Sequence, residues 1–297
     1  MGILPMDVDI LPPTDDRIFK AILTTPEAKP FLMKLIASVI GRRIVDATVH
    51  NVELPVSDTH EKLERFDVNC KIDDGSQVNL EMQASRMEED QGGKHDNLKG
   101  RSIYFLCDLH SSQPAKGQQR YDRLVRTYQV TFCSYTVFQH RKEYMNSFSM
   151  RHDVDNELLH NAIQAVIVEL SKLEEVVKKS VEAMTDLEKF SVFFEYADNP
   201  TYRDTVNKVI ESEEVLTVAS NLLMNISQDE RERAIFRSRK KYQMDIASDI
   251  ATAEDRGAKR RDFEIARNLL NLNRPIEEII IATGLTREGV ECQRLTH

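Results

Sequence analysis

The residues Phe66-Asp67-Val68-Asn69-Cys70-Lys71-Ile72 and Gln77-Val78-Asn79-Leu80-Glu81-Met82-Gln83 alternate apolar and polar on either side of Asp73-Asp74-Gly75-Ser76. Alternation of this kind marks half-buried strands, so the stretch predicts two adjacent strands joined by a tight turn. Parity decides the length of that turn, because residues paired across an antiparallel ladder point to the same face. A two-residue Asp74-Gly75 loop would pair Asp67 with Met82 and mix the faces. A three-residue loop with Gly75 in the left-handed conformation pairs Phe66 with Met82, Val68 with Leu80, Asn69 with Asn79 and Asp67 with Glu81, and both faces stay pure. The same register sets two carboxylates opposite each other, which is unfavourable unless something positive sits between them.

Upstream, Pro12-Pro13-Thr14-Asp15-Asp16 reads as a helix start with Thr14 as N-cap and acids in the first turn. Ile18, Phe19, Ile22 and Leu23 then share one helical face. A second helical run, Phe31, Leu32, Leu35, Ile36, Val39 and Ile40, stops at Gly41. Residues 45–54 loosen toward extended structure. Downstream, residues 97–112 have helical spacing, 124–138 read as a long strand, and 165–170 as a short buried one. From Leu173 onward helical patterning dominates. The chain is therefore expected to be a mixed α/β (α+β) fold, divided into residues 1–173 and a helical region, 174–297.

The 297 residues carry 41% hydrophobic and 30% charged side chains with only 10 Gly and 9 Pro, which excludes disordered and collagen-like chains. No apolar run approaches the roughly 20 residues a spanning helix needs, and the first residues lack a basic segment followed by an apolar one. A cytoplasmic protein with no membrane partner is expected. The four cysteines, Cys70, Cys107, Cys133 and Cys292, have neither disulfide-scaffold nor zinc-site spacing and are read as buried apolar thiols. The net charge of −9 argues against non-specific coating of nucleic acid by the whole surface. It hides an asymmetry: between Arg231 and Arg267 eleven Lys and Arg face seven acids, a local +4 that leaves −13 elsewhere.

An Asp, a tight hairpin and then Glu-x-Gln is a pattern suited to a divalent cation of the Mg2+ type, which takes oxygen ligands from one or two carboxylates and keeps waters. Asp67 and Glu81 are the ligand candidates, and a cation between them turns their repulsion into coordination. The plainer alternative is a solvated polar strand face.

The order Asp16-x-x-Phe19-Lys20, Lys62, Phe66-Asp67-Val68, Asp74-Gly75 and Leu80-Glu81-Met82-Gln83 resembles the PD-(D/E)xK nuclease superfamily. More closely, it is similar to the recombination-promoting nucleases and their transposase relatives. The resemblance continues through Arg101-x-x-Tyr104, Gly117 with Tyr121, Glu169-Leu170-Ser171-Lys172, Ser227-x-Asp229-Glu230-Arg231, Ile265-Ala266, Ile276-Glu277-Glu278-Ile279 and Thr283-Gly284-Leu285-Thr286. It implies a restriction-endonuclease-like αβββαβ core acting as a DNA endonuclease with Mg2+, or alternatively Mn2+, on Asp67 and Glu81. Gln83 stands where the superfamily's E-x-K signature has Lys. An amide can orient water but supplies no positive charge. Lys20, one turn after Asp16, is the first candidate for the missing cation, and Lys62 the second. Asp16 would match the acid of the superfamily's first helix, the plainer reading being a surface pair with Lys20.

Arg101 is a candidate phosphate contact or a packing residue, and Tyr104 is read as packing. In the basic stretch, Lys240, Lys241, Lys259, Arg260 and Arg261 are candidate DNA contacts. Pro275–Val290 is similar in form to a helix-turn-helix pair, with a second helix expected over residues 287–295. Its sparse set of base-reading side chains favours a packing role. The rival functions are a DNA- or protein-binding module with a weakened site, and a toxin-like or RNA-directed nuclease. A homodimer is left open.

Overall fold

The computed structural model describes residues 3–50, 68–84, 95–113 and 121–293. The expected hairpin forms from β2 (Val68–Ile72) and β3 (Gln77–Gln83), with Val68 opposite Leu80, Asn69 opposite Asn79 and Cys70 opposite Val78. Asp73, Asp74 and Gly75 make the three-residue loop. Gly75 has φ +86°, and Ile72 accepts its N–H at 2.8 Å, so the left-handed residue that the parity argument required is present.

Two helices open the chain. α1 (Asp16–Thr24) buries Ile18, Phe19, Ile22 and Leu23, and α2 (Lys29–Ile40) ends at a left-handed Gly41. The N-cap is Asp15, not Thr14: the Asp15 carboxylate accepts the N–H groups of Arg17 and Ile18 at 3.0 and 3.3 Å. β1 (Ala47–Val49) pairs with β2. After β3 come α3 (His95–Ser111), β4 (Thr127–Cys133), β5 (Met145–Phe148) and β6 (Ile163–Glu169). The sheet order is β1-β2-β3-β4-β6-β5, with β3, β4 and β6 mutually parallel.

The strand expected over 124–138 stops at Cys133. The next backbone groups leave the ladder because a carboxylate takes them: Glu169 Oε1 accepts the N–H of Val137 at 2.6 Å and of Phe138 at 3.0 Å. β5 pairs antiparallel with β6. This short edge strand has no clean alternation, and periodicity does not reveal it.

Alternation gives the sheet two different faces. Val68, Val78, Leu80, Met82, Tyr128, Val130, Phe132 and Val168 form an apolar face. Phe132 meets Phe19 of α1 at 5.9 Å between ring centroids and, at 5.6 Å, Phe194 of α4 (Asp186–Tyr196). Phe31 of α2 packs edge-on to Phe190 at 5.2 Å. Each such aromatic removes on the order of 150–250 Å2 from water, which makes this cluster the main source of hydrophobic stabilisation. α3 lies on the other face.

The chain separates into two compact units, residues 1–233 and 234–297. The expected division at 173/174 falls inside the first of these. α4, α5 (Arg203–Glu211) and α6 (Glu214–Gln228) belong with the sheet, since α4 and α6 pack on α2 and α6 packs on α1. The N-terminal segment is bound to the same helices: Leu4 N–H donates to Asn207 Oδ1, and Leu11 N–H to Ser227 Oγ. α7 (Glu230–Asn271) runs from the first unit into the second. There Ala266 forms a small core with Ile279 of α8 (Ile276–Thr283) and Val290 of α9 (Arg287–Cys292).

α8 closes at a left-handed Gly284, and Thr286 caps α9 by accepting the Gly289 N–H, as the sequence predicts. α9 is shorter than expected, ending at Cys292. Two cysteines depart from expectation: Cys70 and Cys133 are buried, whereas Cys107 and Cys292 are exposed. No described helix is long and apolar enough to cross a membrane.

Candidate active site

The residues of β3 that point away from the aromatic core are Gln77, Asn79, Glu81 and Gln83. In the parallel register of β4 they stand beside Thr127, Gln129, Thr131 and Cys133. Two strands thus present polar rows side by side beneath α3, in a position where apolar residues would be cheaper to bury. The rows are joined by hydrogen bonds. Asn79 Nδ2 donates to Gln129 Oε1 at 2.9 Å, and Gln129 Nε2 donates to Glu81 Oε2 at 3.1 Å. From α3, the Ser102 hydroxyl lies 3.2 Å from Thr131 Oγ1, and His110 Nδ1 lies 2.9 Å from Thr127 Oγ1.

Glu81 is the centre of this ladder, with 2% of its surface exposed. Arg101 of α3 places Nε 2.8 Å from Glu81 Oε1, and its guanidinium stacks over the Phe105 ring at 5.0 Å. That approach is an ion pair outside hydrogen-bond alignment, so Oε1 lacks an aligned donor, as do Asn79 Oδ1 and Gln77 Oε1. Burial pushes the Glu81 carboxyl above the ordinary carboxylate range, while Arg101 and the Gln129 amide pull it back. A buried acid with unfilled oxygen capacity is a recurrent property of functional sites.

The chemistry of the donors fits a hard divalent cation: the Glu81 carboxylate, whose Oε1 lacks an aligned donor although Arg101 Nε lies 2.8 Å away, and the Asn79 amide oxygen on the same strand face. Among the described residues no three His, Cys, Asp or Glu side chains gather into a metal cluster. The second expected ligand, Asp67, and the candidate cation Lys62 lie outside the described residues, as does Gly117.

The other sequence candidates are spread over several elements. Gln83 is half-buried at the end of β3, on the Glu81 face, and its carbonyl accepts the Ser134 N–H at 3.2 Å. Asp16 is exposed in the first turn of α1 and accepts the Arg17 N–H at 2.9 Å, and Lys20 is half-buried one turn on. α1 buries its apolar residues against the opposite face of the sheet. Among the described residues neither Asp16 nor Lys20 meets Glu81. Arg101 does meet it. Tyr104, expected to pack, is 52% exposed. Lys240, Lys241, Lys259, Arg260 and Arg261 are all exposed on α7.

Sequence reasoning missed Gln129 as the partner of Glu81, and Asn79, Thr131 and Ser102 as members of the same ladder. The signal was present in Thr127-x-Gln129-x-Thr131, which alternates with Tyr128-x-Val130-x-Phe132. A strand with one fully polar face that is nonetheless central in its sheet must bury that face.

Compared with curated proteins and with solved structures, the chain matches none. A family model does match, over residues 13–253, which takes in the hairpin, the polar ladder, α3 and the first half of α7. The central sheet, the order of its elements and that match lead to one statement of kinship: the chain belongs to the PD-(D/E)XK nuclease family transposases.

Proposed function

We propose that the protein is a metal-dependent endonuclease that hydrolyses phosphodiester bonds in DNA. The observation that carries this reading is Glu81: a buried carboxylate, at the centre of a polar ladder, with one oxygen lacking an aligned donor. Asp67 and Glu81 would hold Mg2+ or Mn2+, in the pairing expected from the hairpin register. Bound there, the ion would polarise the phosphodiester and lower the pKa of a coordinated water.

The chain's own residues have distinct tasks. The Gln129 amide fixes the orientation of Glu81 through the 3.1 Å bond to Oε2, and Asn79 fixes Gln129 in turn. Such supporting hydrogen bonds hold a ligand in place. Gln83, two residues along the same strand face, would position water by donating and accepting hydrogen bonds. The exposed cations of α7 would bind the DNA backbone.

The test is cleavage of supercoiled plasmid by the full chain with Mg2+, Mn2+, Ca2+ or EDTA, beside Asp67→Ala and Glu81→Ala. Cleavage that requires Mg2+ or Mn2+ and disappears in both variants supports the reading. Equal cleavage by the variants would refute the site. The rival reading, a binding module on a nuclease-like fold, is favoured by Gln83 in place of Lys, and folded protein inactive with every metal would select it. An RNA substrate run in parallel separates the RNA-directed alternative.

A further inference from the structure

If the site works as a nuclease, Gln83 leaves it without a cation on β3. Lys20, the first candidate to replace it, sits on a helix that packs against the other face of the sheet. The one cationic side chain that meets Glu81 among the described residues is Arg101. We propose that Arg101 is a catalytic residue that takes the place of the missing lysine, with Nε held by Glu81 and its Nη groups turned to a non-bridging oxygen of the scissile phosphate.

Three features support this, and it rests on the nuclease reading above. The contact to Glu81 is made through Nε at 2.8 Å, which leaves the Nη groups as the donors suited to form a fork toward an oxyanion. A guanidinium is suited to that role because it stays charged and can grip a phosphate through two N–H groups at once. Second, the side chain is 45% exposed although its carboxylate partner is 2% exposed, so the guanidinium lies between the buried acid and solvent, where a phosphodiester would arrive. Third, the Phe105 ring beneath the guanidinium restricts its position. Preorganised charge is worth most in a transition state. The same pairing explains how a buried Glu81 is balanced before a metal arrives.

The experiment uses the full chain and the variants Arg101→Gln, Arg101→Lys and Glu81→Gln. It measures single-turnover cleavage in Mg2+, DNA affinity in Ca2+, and the shift in melting temperature caused by Ca2+. Arg101→Gln is expected to lose about 100-fold or more in rate at saturating DNA, the scale seen when one oxyanion donor is removed. Arg101→Lys is expected to recover part of that loss. The Ca2+-induced rise in melting temperature should persist in Arg101→Gln and vanish in Glu81→Gln, which shows a metal site intact without Arg101.

Wild-type cleavage by Arg101→Gln overturns the proposal. So does a variant that loses the Ca2+ shift together with activity, because Arg101 would then only hold Glu81 in place. A wild type with neither cleavage nor a Glu81-dependent Ca2+ shift removes the nuclease reading itself, and this inference with it.

Discussion

Glu169 should be among the most costly residues to remove, although no part in the proposed chemistry is assigned to it. Its side chain is fully buried at the end of β6. Oε1 accepts the Val137 and Phe138 N–H groups at 2.6 and 3.0 Å, and Oε2 accepts from Asn146 Nδ2 at 2.9 Å and Lys172 Nζ at 2.8 Å. Lys172, itself 11% exposed, also donates to the carbonyls of Phe138 and Arg141. Truncation to Ala strands two buried N–H groups and an amide, and leaves an ammonium without its counter-ion. Four charge-assisted bonds at about 1.5–3 kcal/mol each do not add, because Lys172 keeps two carbonyls. Breaking a buried pair from one side costs about 3–5 kcal/mol, and that is the expected loss for Glu169→Ala. Glu169→Gln keeps the Oε1 acceptor but turns an NH2 toward Lys172 and Asn146, for about 2 kcal/mol. Urea melts followed by far-UV circular dichroism give the loss, and hydrogen exchange at Val137 and Phe138 locates it. A Glu169→Ala protein within about 1 kcal/mol of wild type, or with those two amides as protected as before, would overturn this account of the residue.

Three other outcomes are expected. Glu195, half-buried at the end of α4 beside Asp198, has its pKa raised from 4.5 to about 7, chiefly by desolvation and then by the Asp198 charge. Since the folded state then binds its proton more tightly than the unfolded state, stability should fall as pH rises from about 4.5 to about 7, and thermal melts of Glu195→Gln should show a flatter profile over that window. Gly75→Ala puts a Cβ at ordinary contact distance, 3.6 Å, from Val125 Cγ1, so its cost is that of a left-handed backbone alone, about 1–2 kcal/mol in urea melts at unchanged m value. Charge reversal at Arg260 and Arg261, both exposed on α7, should weaken DNA binding and reduce the slope of log affinity against log salt by about one for each phosphate that is no longer neutralised, without moving the melting temperature. A flat salt dependence in the wild type would exclude that helix as the DNA-binding surface.

The parts of the fold legible in the sequence are those that periodicity and turn chemistry dictate locally. The hairpin register followed from parity and one glycine, and α1, α2, α3 and the α8–α9 turn followed from apolar spacing and caps. The domain division did not. It depends on where α4 and α6 bury Phe190, Phe193, Phe194 and Leu216, and helical periodicity shows that a face is buried without showing against what. The end of β4 was hidden for a similar reason, since a carboxylate 31 residues away takes the Phe138 N–H. Of the candidate site, Glu81 was legible from its strand position, while its partners Gln129 and Arg101 were not, because which strand lies beside β3 and which face α3 covers are tertiary facts. The Glu169-Leu170-Ser171-Lys172 motif supported the family resemblance, and in the structure its two charged residues are a staple for the segment after β4.

The division of labour between the two faces of the sheet explains why a buried polar ladder persists here. The apolar face, with Phe19, Phe132 and Phe194 in mutual contact, carries the aromatic core of the sheet. The face under α3 is polar over most of β3 and β4, and Leu98 of α3 meets Cys133 at the end of β4 and Ile167 of β6 there. Asn79 and Glu81 leave acceptor oxygens without aligned donors and set a charge in a low-dielectric layer, an arrangement that costs stability and that apolar side chains of similar volume would avoid. A packing role gives no reason to keep it. A role in holding cationic charge beside a phosphate does, because an acid that water would screen at the surface keeps its full field when buried, and Arg101 brings the edge of that field out to solvent.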